Sequence, residues 1–105
     1  IFCRVITNQH WVEFSDLSSV DRMQIMQIVY VVEKNLRTLL KPIKVNIASF
    51  GNVVPHLHWH VIPRFEGDPH YPNPIWGAQT EGQPVFPPQD FWERCRESIK
   101  EQLAV

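Results

Sequence analysis

The chain predicts an α+β fold: an antiparallel sheet, one long helix packed across it, and a second helix at the C-terminus. Three observations carry this expectation. Polar and apolar residues alternate from His56 to Ile62 at the period of a strand. Apolar residues recur at steps of three and four between Ser18 and Lys41, the period of a helix. A narrower stripe of the same helical kind, Phe91, Cys95, Ile99 and Leu103, closes the chain. With 105 residues, 44% of them hydrophobic and 20% charged, the chain is sized for a single domain, residues 1–105.

Taken in order, Phe2–Ile6 mixes aromatic and β-branched residues and reads as a strand. Thr7–His10 is a turn-like exit, in which His10 reads as a loop hydrogen-bonder. Ser18 opens the long helix, and Asp21 three residues on completes a capping-box pattern. Ile25, Ile28, Val29, Val32, Leu36, Leu39 and Leu40 form the stripe expected to be buried. Lys41-Pro42 ends the helix, because proline disfavours the α region for the residue before it. Tyr30, Val31 and the methionines Met23 and Met26 widen the apolar surface. Two readings of that surplus stand side by side: completion of the monomer core, or a face for a second subunit. Lys44–Phe50 reads as a strand, and Gly51-Asn52 as the turn of a hairpin whose return arm is the histidine stretch. From Glu66 to Asp90 all periodicity is lost and six of the nine prolines are gathered, so a long loop is expected. His70, Tyr71 and Trp76 are its candidate anchors, and 78–85 its loosest part. Asp90 with Glu93 predicts the cap of the last helix.

The histidine stretch carries the chemistry. On a strand, His56, His58 and His60 share one face at spacings of roughly 6.5–7 Å, while Leu57, Trp59 and Val61 pack into the core. Three buried rings in register would each need a hydrogen-bond partner, so packing alone is a poor reason for them. A neutral imidazole near pH 7 serves as base, acid, nucleophile or metal ligand.

The pattern His-φ-His-φ-His-φ-φ, with Leu57, Trp59, Val61 and Ile62 in the apolar positions, resembles the signature of the histidine triad (HIT) superfamily of nucleotide hydrolases and transferases. The flanks, Lys44–Asn52 before the stretch and Pro63-Arg64-Phe65 after it, resemble its bacterial members. The resemblance spans about Phe2 to Trp76. It implies a HIT-like fold and hydrolysis or transfer at the α-phosphate of a nucleoside phosphoramidate or dinucleoside polyphosphate. It implies His58 as the nucleophile that forms a nucleotidyl-histidine, His60 near the leaving group, and His56 as the group that orients His58 or touches phosphate. Asn52 and Asn46 match family positions whose amides hydrogen-bond phosphate or hold the site in shape, although Asn52 equally suits a turn. Arg64 reads either as a phosphate contact or as a surface ion pair. Family likeness also implies a homodimer and a small-molecule nucleotide as partner; no cofactor is expected, and no metal, because the sequence shows no C-x-x-C pair of the kind with which some family members hold zinc. An N-terminal strand that helps bind base and ribose is expected to be lacking.

Two other readings of the same residues stay open: a metal-dependent hydrolase with the three histidines as ligands, and a non-catalytic nucleotide-binding module. The net charge of −1, from 10 basic and 11 acidic residues, offers no broad surface for nucleic acid or anionic membrane. Cys3 and Cys95 form no C-x-x-C pair and are expected to be reduced. With no apolar run of membrane-spanning length and no signal-peptide pattern, a cytoplasmic location is expected.

Overall fold

The computed structural model describes residues 1–103. Three strands, β1 (Cys3–Ile6), β2 (Lys44–Ala48) and β3 (His58–Arg64), form one antiparallel sheet in the order β1-β3-β2. The histidine-bearing strand is therefore central, paired on both sides. Helix α1 (Ser19–Leu40), about 33 Å long at 1.5 Å per residue, packs across one face of the sheet, and α2 (Phe91–Leu103) packs against α1. The α+β expectation holds, element by element. Among the described residues no helix is long and apolar enough to cross a membrane.

Local chemistry sets the ends of α1. The Ser18 hydroxyl accepts the Asp21 N–H at 3.2 Å, as the capping pattern requires. At the other end Lys41, barred by Pro42 from the right-handed region, adopts a left-handed conformation with φ 50° and closes the helix onto the Arg37 carbonyl. The buried side of α1 is Val29, Val31, Val32 and Leu36, with Ile25, Ile28, Leu39 and Leu40 packed beside them. Val31 thus belongs to the monomer core, whereas Met23 and Tyr30 are 74% and 53% exposed. The core lies between α1 and the back of β3, where Leu57, Trp59 and Val61 point inward as the alternation requires. Cys3 and Cys95 are free thiols at this core. Burial, with Cys95 adding, pushes the Cys3 thiol up to about 11, so both stay protonated and unreactive.

Three local expectations are corrected. The hairpin is not centred on Gly51-Asn52. Lys44 faces Arg64, Asn46 faces Ile62 and Ala48 faces His60, so its arms are symmetric about Val54 and joined by the long connection 49–57. Gly51 does take a positive φ of 74°, but inside that connection rather than at a two-residue apex. Secondly, Pro55 offers no N–H to a ladder, and β3 starts only at His58. His56 and Leu57 precede the strand, where Leu57 N–H donates to the Trp11 carbonyl and Thr7 N–H to the Leu57 carbonyl. Thirdly, the pattern at α2 is met only in part: Asp90 stands at the N-cap position, its carbonyl accepting the Arg94 N–H at 3.0 Å, but its carboxylate lies 3.9 Å from Arg94 and makes no hydrogen bond to Glu93 among the described residues.

Residues 65–90 contain neither helix nor strand, yet they are not loose. The Asp68 carboxylate accepts the N–H groups of Phe65, His70 and Tyr71, and pairs with Arg64 through two hydrogen bonds of 3.0 and 3.1 Å. The stretch 78–85 folds back over this knot: Thr80 N–H donates to the Pro69 carbonyl and Gln83 N–H to that of Gly67. Gly82 passes so close that a Cβ there would collide with the Asp68 and Gly67 carbonyls.

Candidate active site

The three histidines sit on the sheet face opposite α1, but they are not three equivalent teeth of one comb. His58 and His60 are on β3, their rings edge to face with centroids 5.1 Å apart. His56 precedes the strand, and its ring turns toward the end of β1. There its Nε2 lies 2.7 Å from the Thr7 carbonyl oxygen and 3.2 Å from the Thr7 hydroxyl, and its Nδ1 lies 3.2 Å from His10 Nδ1.

These contacts fix tautomers. A carbonyl oxygen only accepts, so the ring nitrogen facing it must carry the proton. His58 Nδ1 lies 2.6 Å from the His56 backbone carbonyl and therefore donates to it. In the neutral ring this leaves the lone pair on His58 Nε2. By the same argument His56 donates from Nε2 to Thr7 and accepts at Nδ1 from His10. His56 thus orients His58 through its main chain, while its side chain ties the segment carrying that carbonyl to β1. His10 is the loop hydrogen-bonder the sequence suggested, and the group it bonds is a triad ring. On the β2 side the Ser49 hydroxyl donates to the His58 carbonyl at 2.6 Å and holds the same strand.

His60 has a different environment. Its Nδ1 is buried and has no hydrogen-bond partner among the described residues. Phe2 and Phe50 flank the ring at 6.1 and 6.4 Å. Burial foremost, then the positive charge of protonated His58 and of Arg4, pushes the His60 pKa below the ordinary histidine value. Arg4 stands directly opposite His60 on β1, exposed and on the histidine face.

The other expected site residues fall further out. Asn46 shares the histidine face, but its side-chain oxygen accepts from Arg64 at 3.0 Å. Asn52 is exposed in the 49–57 connection and makes no side-chain hydrogen bond among the described residues. Arg64 is neither a phosphate contact nor a surface ion pair. It is 2% exposed, spends its donors on Asp68, Asn46 and the Asn73 carbonyl, and lies 5.5 Å from the Tyr71 ring. Burial by itself would raise the Asp68 carboxyl, but the hydrogen bonds from Arg64 and from three backbone N–H groups outweigh it and hold the acid well below the usual carboxylate range. No group of three His, Cys, Asp or Glu side chains among the described residues is placed to hold a metal ion. The rival reading, with three histidines as metal ligands, is not favoured by the geometry, because the His56 ring faces Thr7 and His10 rather than its two neighbours.

Thr7, His10, Ser49 and Arg4 complete the site, and sequence reasoning left all of them out of it. A signal for Arg4 exists in the alternation of Phe2, Arg4 and Ile6, but it becomes informative only once the β1–β3 register is known. Phe50 was likewise unassigned, and Trp76, expected as an anchor of the 66–90 loop, meets its ring edge to face at 4.8 Å.

The HIT domain family model matches residues 1–67. Among solved structures, the chain is similar to a histidine triad protein from Bradyrhizobium japonicum, with 31% identity and a TM-score of 0.75 over 95% of this chain and 73% of that one. A histidine triad protein from Sinorhizobium meliloti shares 29% identity, with a TM-score of 0.73 and the same coverage of each chain. One from Marinobacter aquaeolei shares 25% identity with a TM-score of 0.68, over 97% of this chain and 72% of that one. No curated protein matches the chain.

Proposed function

We propose that this chain, which belongs to the HIT family, is a nucleotide hydrolase or transferase that works through a covalent nucleotidyl-histidine on His58. The observation that carries the reading is the hydrogen bond from His58 Nδ1 to the His56 carbonyl, which leaves Nε2 with its lone pair. A histidine held in that tautomer is an activated nucleophile. In the first step Nε2 attacks the α-phosphorus of a nucleoside phosphoramidate or dinucleoside polyphosphate. The bond to the leaving group breaks, its electron pair departs with that group, and a proton from the His60 imidazolium neutralises it. In the second step water attacks phosphorus, its proton returns to His60, and Nε2 leaves with its electron pair. The products are the nucleoside monophosphate and a regenerated site. Anionic phosphate against His60 favours the imidazolium that the free site disfavours, and Arg4 is positioned to share that phosphate charge.

Adenosine is taken as the base from family likeness. A homodimer is part of the same proposal, supported by the exposed Val20, Met23 and Tyr30 along α1; sedimentation at several concentrations checks it. The decisive experiment follows AMP release from adenosine 5′-phosphoramidate and diadenosine tetraphosphate, with and without chelator. Release that survives chelation and falls by on the order of 10³-fold or more in His58→Ala is the expected result. Release abolished by chelator would instead require a metal. Nucleotide bound without any release would make this a binding module.

A further inference from the structure

Arg64 ends β3 on the histidine face, and its side chain is buried. Its Nη1 donates to Asn46 Oδ1 on β2 at 3.0 Å, while Nε and Nη2 are taken by Asp68 and the Asn73 carbonyl. A guanidinium has no acceptor, so the Asn46 atom that faces it must be the oxygen. The two N–H groups of the amide are thereby turned away from Arg64, and Nδ2 makes no hydrogen bond among the described residues. A groove of about 470 Å³ runs there, between Lys44, Asn46 and Ala48 of β2 on one side and Pro72, Pro74 and Trp76 on the other. The three β2 residues share the histidine face by the period of the strand. Ala48 stands opposite His60, so the groove begins beside the histidines. Lys44 stands opposite Arg64, a pairing of like charges. Asp68 answers the Arg64 charge, whereas Lys44 is exposed and has no ion pair among the described residues.

We propose that Arg64 is a positioning residue: it holds the Asn46 amide with its N–H groups facing this groove, where they and the Lys44 ammonium receive the phosphoryl oxygens of an anionic leaving group. This rests on the reading that His58 attacks the α-phosphorus. In-line displacement puts the leaving group on the far side of phosphorus from His58. From His58 the strand runs through His60 toward Arg64, with Ala48 and Asn46 alongside. When a dinucleoside polyphosphate is cleaved, the P–O bond breaks, its electron pair goes to the bridging oxygen, and negative charge grows on the departing phosphate chain. Donors already fixed at that chain lower the barrier without having to reorient. An amine leaving from a phosphoramidate carries no phosphoryl oxygen and gains little from them. An amide held by nothing could turn over and present its oxygen to the phosphate; the buried guanidinium forbids that. Asn46 and Lys44 therefore set which leaving group is favoured, and Arg64 acts on that choice through Asn46.

The test compares kcat/KM for diadenosine tetraphosphate and adenosine 5′-phosphoramidate. Asn46→Asp keeps an acceptor for Arg64 but replaces the N–H groups with a carboxylate oxygen. With the tetraphosphate its kcat/KM is expected to fall on the order of 10²-fold, mainly in kcat, and with the phosphoramidate by only about threefold. A merely structural role would lower both alike. Lys44→Gln should cost the tetraphosphate about tenfold, mainly in KM, and less at high salt. Arg64→Lys should match Asn46→Ala in its loss on the tetraphosphate, and the double variant should lose no more than either alone. Equal losses on the two substrates in Asn46→Asp, or no loss, overturn the subsite while leaving the nucleotidyl-histidine reading intact, provided that turnover is lost in His58→Ala. A wild type that turns over the phosphoramidate alone does the same. Losses that add in the double variant overturn the role of Arg64. A second measurement needs no variant to fold: ATP, the anion that the tetraphosphate releases, should shift the NMR resonance of the Asn46 side-chain NH2 in wild type, and a resonance that ATP leaves unmoved overturns the orientation. No turnover of either substrate by wild type overturns both readings.

Discussion

The two ends of the histidine row are built on opposite principles. At the His56 end both ring nitrogens are hydrogen-bonded, to Thr7 and to His10, and the segment is held like a strut. At the His60 end one ring nitrogen is buried without a partner, and the surroundings are phenylalanine, tryptophan and isoleucine. Buried polar atoms normally find partners, so His60 is the less satisfied ring of the two. The polar end fixes the tautomer of His58, and the apolar end leaves His60 among aromatic rings.

The comparison is broken most severely by detaching the loop that walls the apolar end. Asp68→Ala leaves the Arg64 guanidinium buried without its counter-charge and frees three backbone N–H groups. A loss of roughly 3–5 kcal/mol of stability is expected in denaturant titration. The sign with pH follows from the depressed carboxyl. In wild type the Asp68 contribution is complete above the ordinary aspartate pKa of about 3.9 and is lost as pH falls toward its folded value. The variant should lack that part of the acid sensitivity.

Next in size is the loss of the His60 proton. His60→Gln should lower kcat/KM by on the order of 10²-fold. Because burial, His58 and Arg4 depress its pKa, wild-type kcat/KM is expected to fall as pH rises through a value below about 6.5. Arg4→Gln removes one of the depressing charges, so that limb should move to higher pH; a limb that stays put would assign it to another group. The same depression makes the folded state hold fewer protons on His60 than the unfolded chain, so its contribution to stability falls as pH drops through this window.

The smallest effect belongs to the polar end. His56→Ala keeps the backbone carbonyl that His58 donates to and removes only the ring that ties it to Thr7 and His10. A loss of about tenfold in kcat, far short of that in His58→Ala, is expected. A loss as large as that of His58→Ala would give the His56 ring a direct part in the chemistry.

Much of this architecture was legible in the chain. The inward set Leu57, Trp59 and Val61, the buried stripe of α1, the Ser18 cap and the stop at Lys41-Pro42 all follow from local rules, because side-chain period, capping and proline sterics act over a few residues. The placement of Asn46 against Arg64 was not legible, and neither was the fate of Arg64. Its partner Asp68 is a loop residue in a stretch with no periodicity, and its burial depends on Tyr71 and Asn73 closing over it.

By itself, then, the sequence determined that His58 and His60 share one face of a strand backed by a core, since period-2 alternation requires no partner. Only the tertiary structure decided the rest. It set the hairpin register about Val54, took His56 off the strand because Pro55 and the Trp11 carbonyl claim that segment, and placed Trp76 on Phe50 beside His60. Each of these depends on which distant backbone groups and buried charges find one another once the chain has closed, and local periodicity carries no record of that choice.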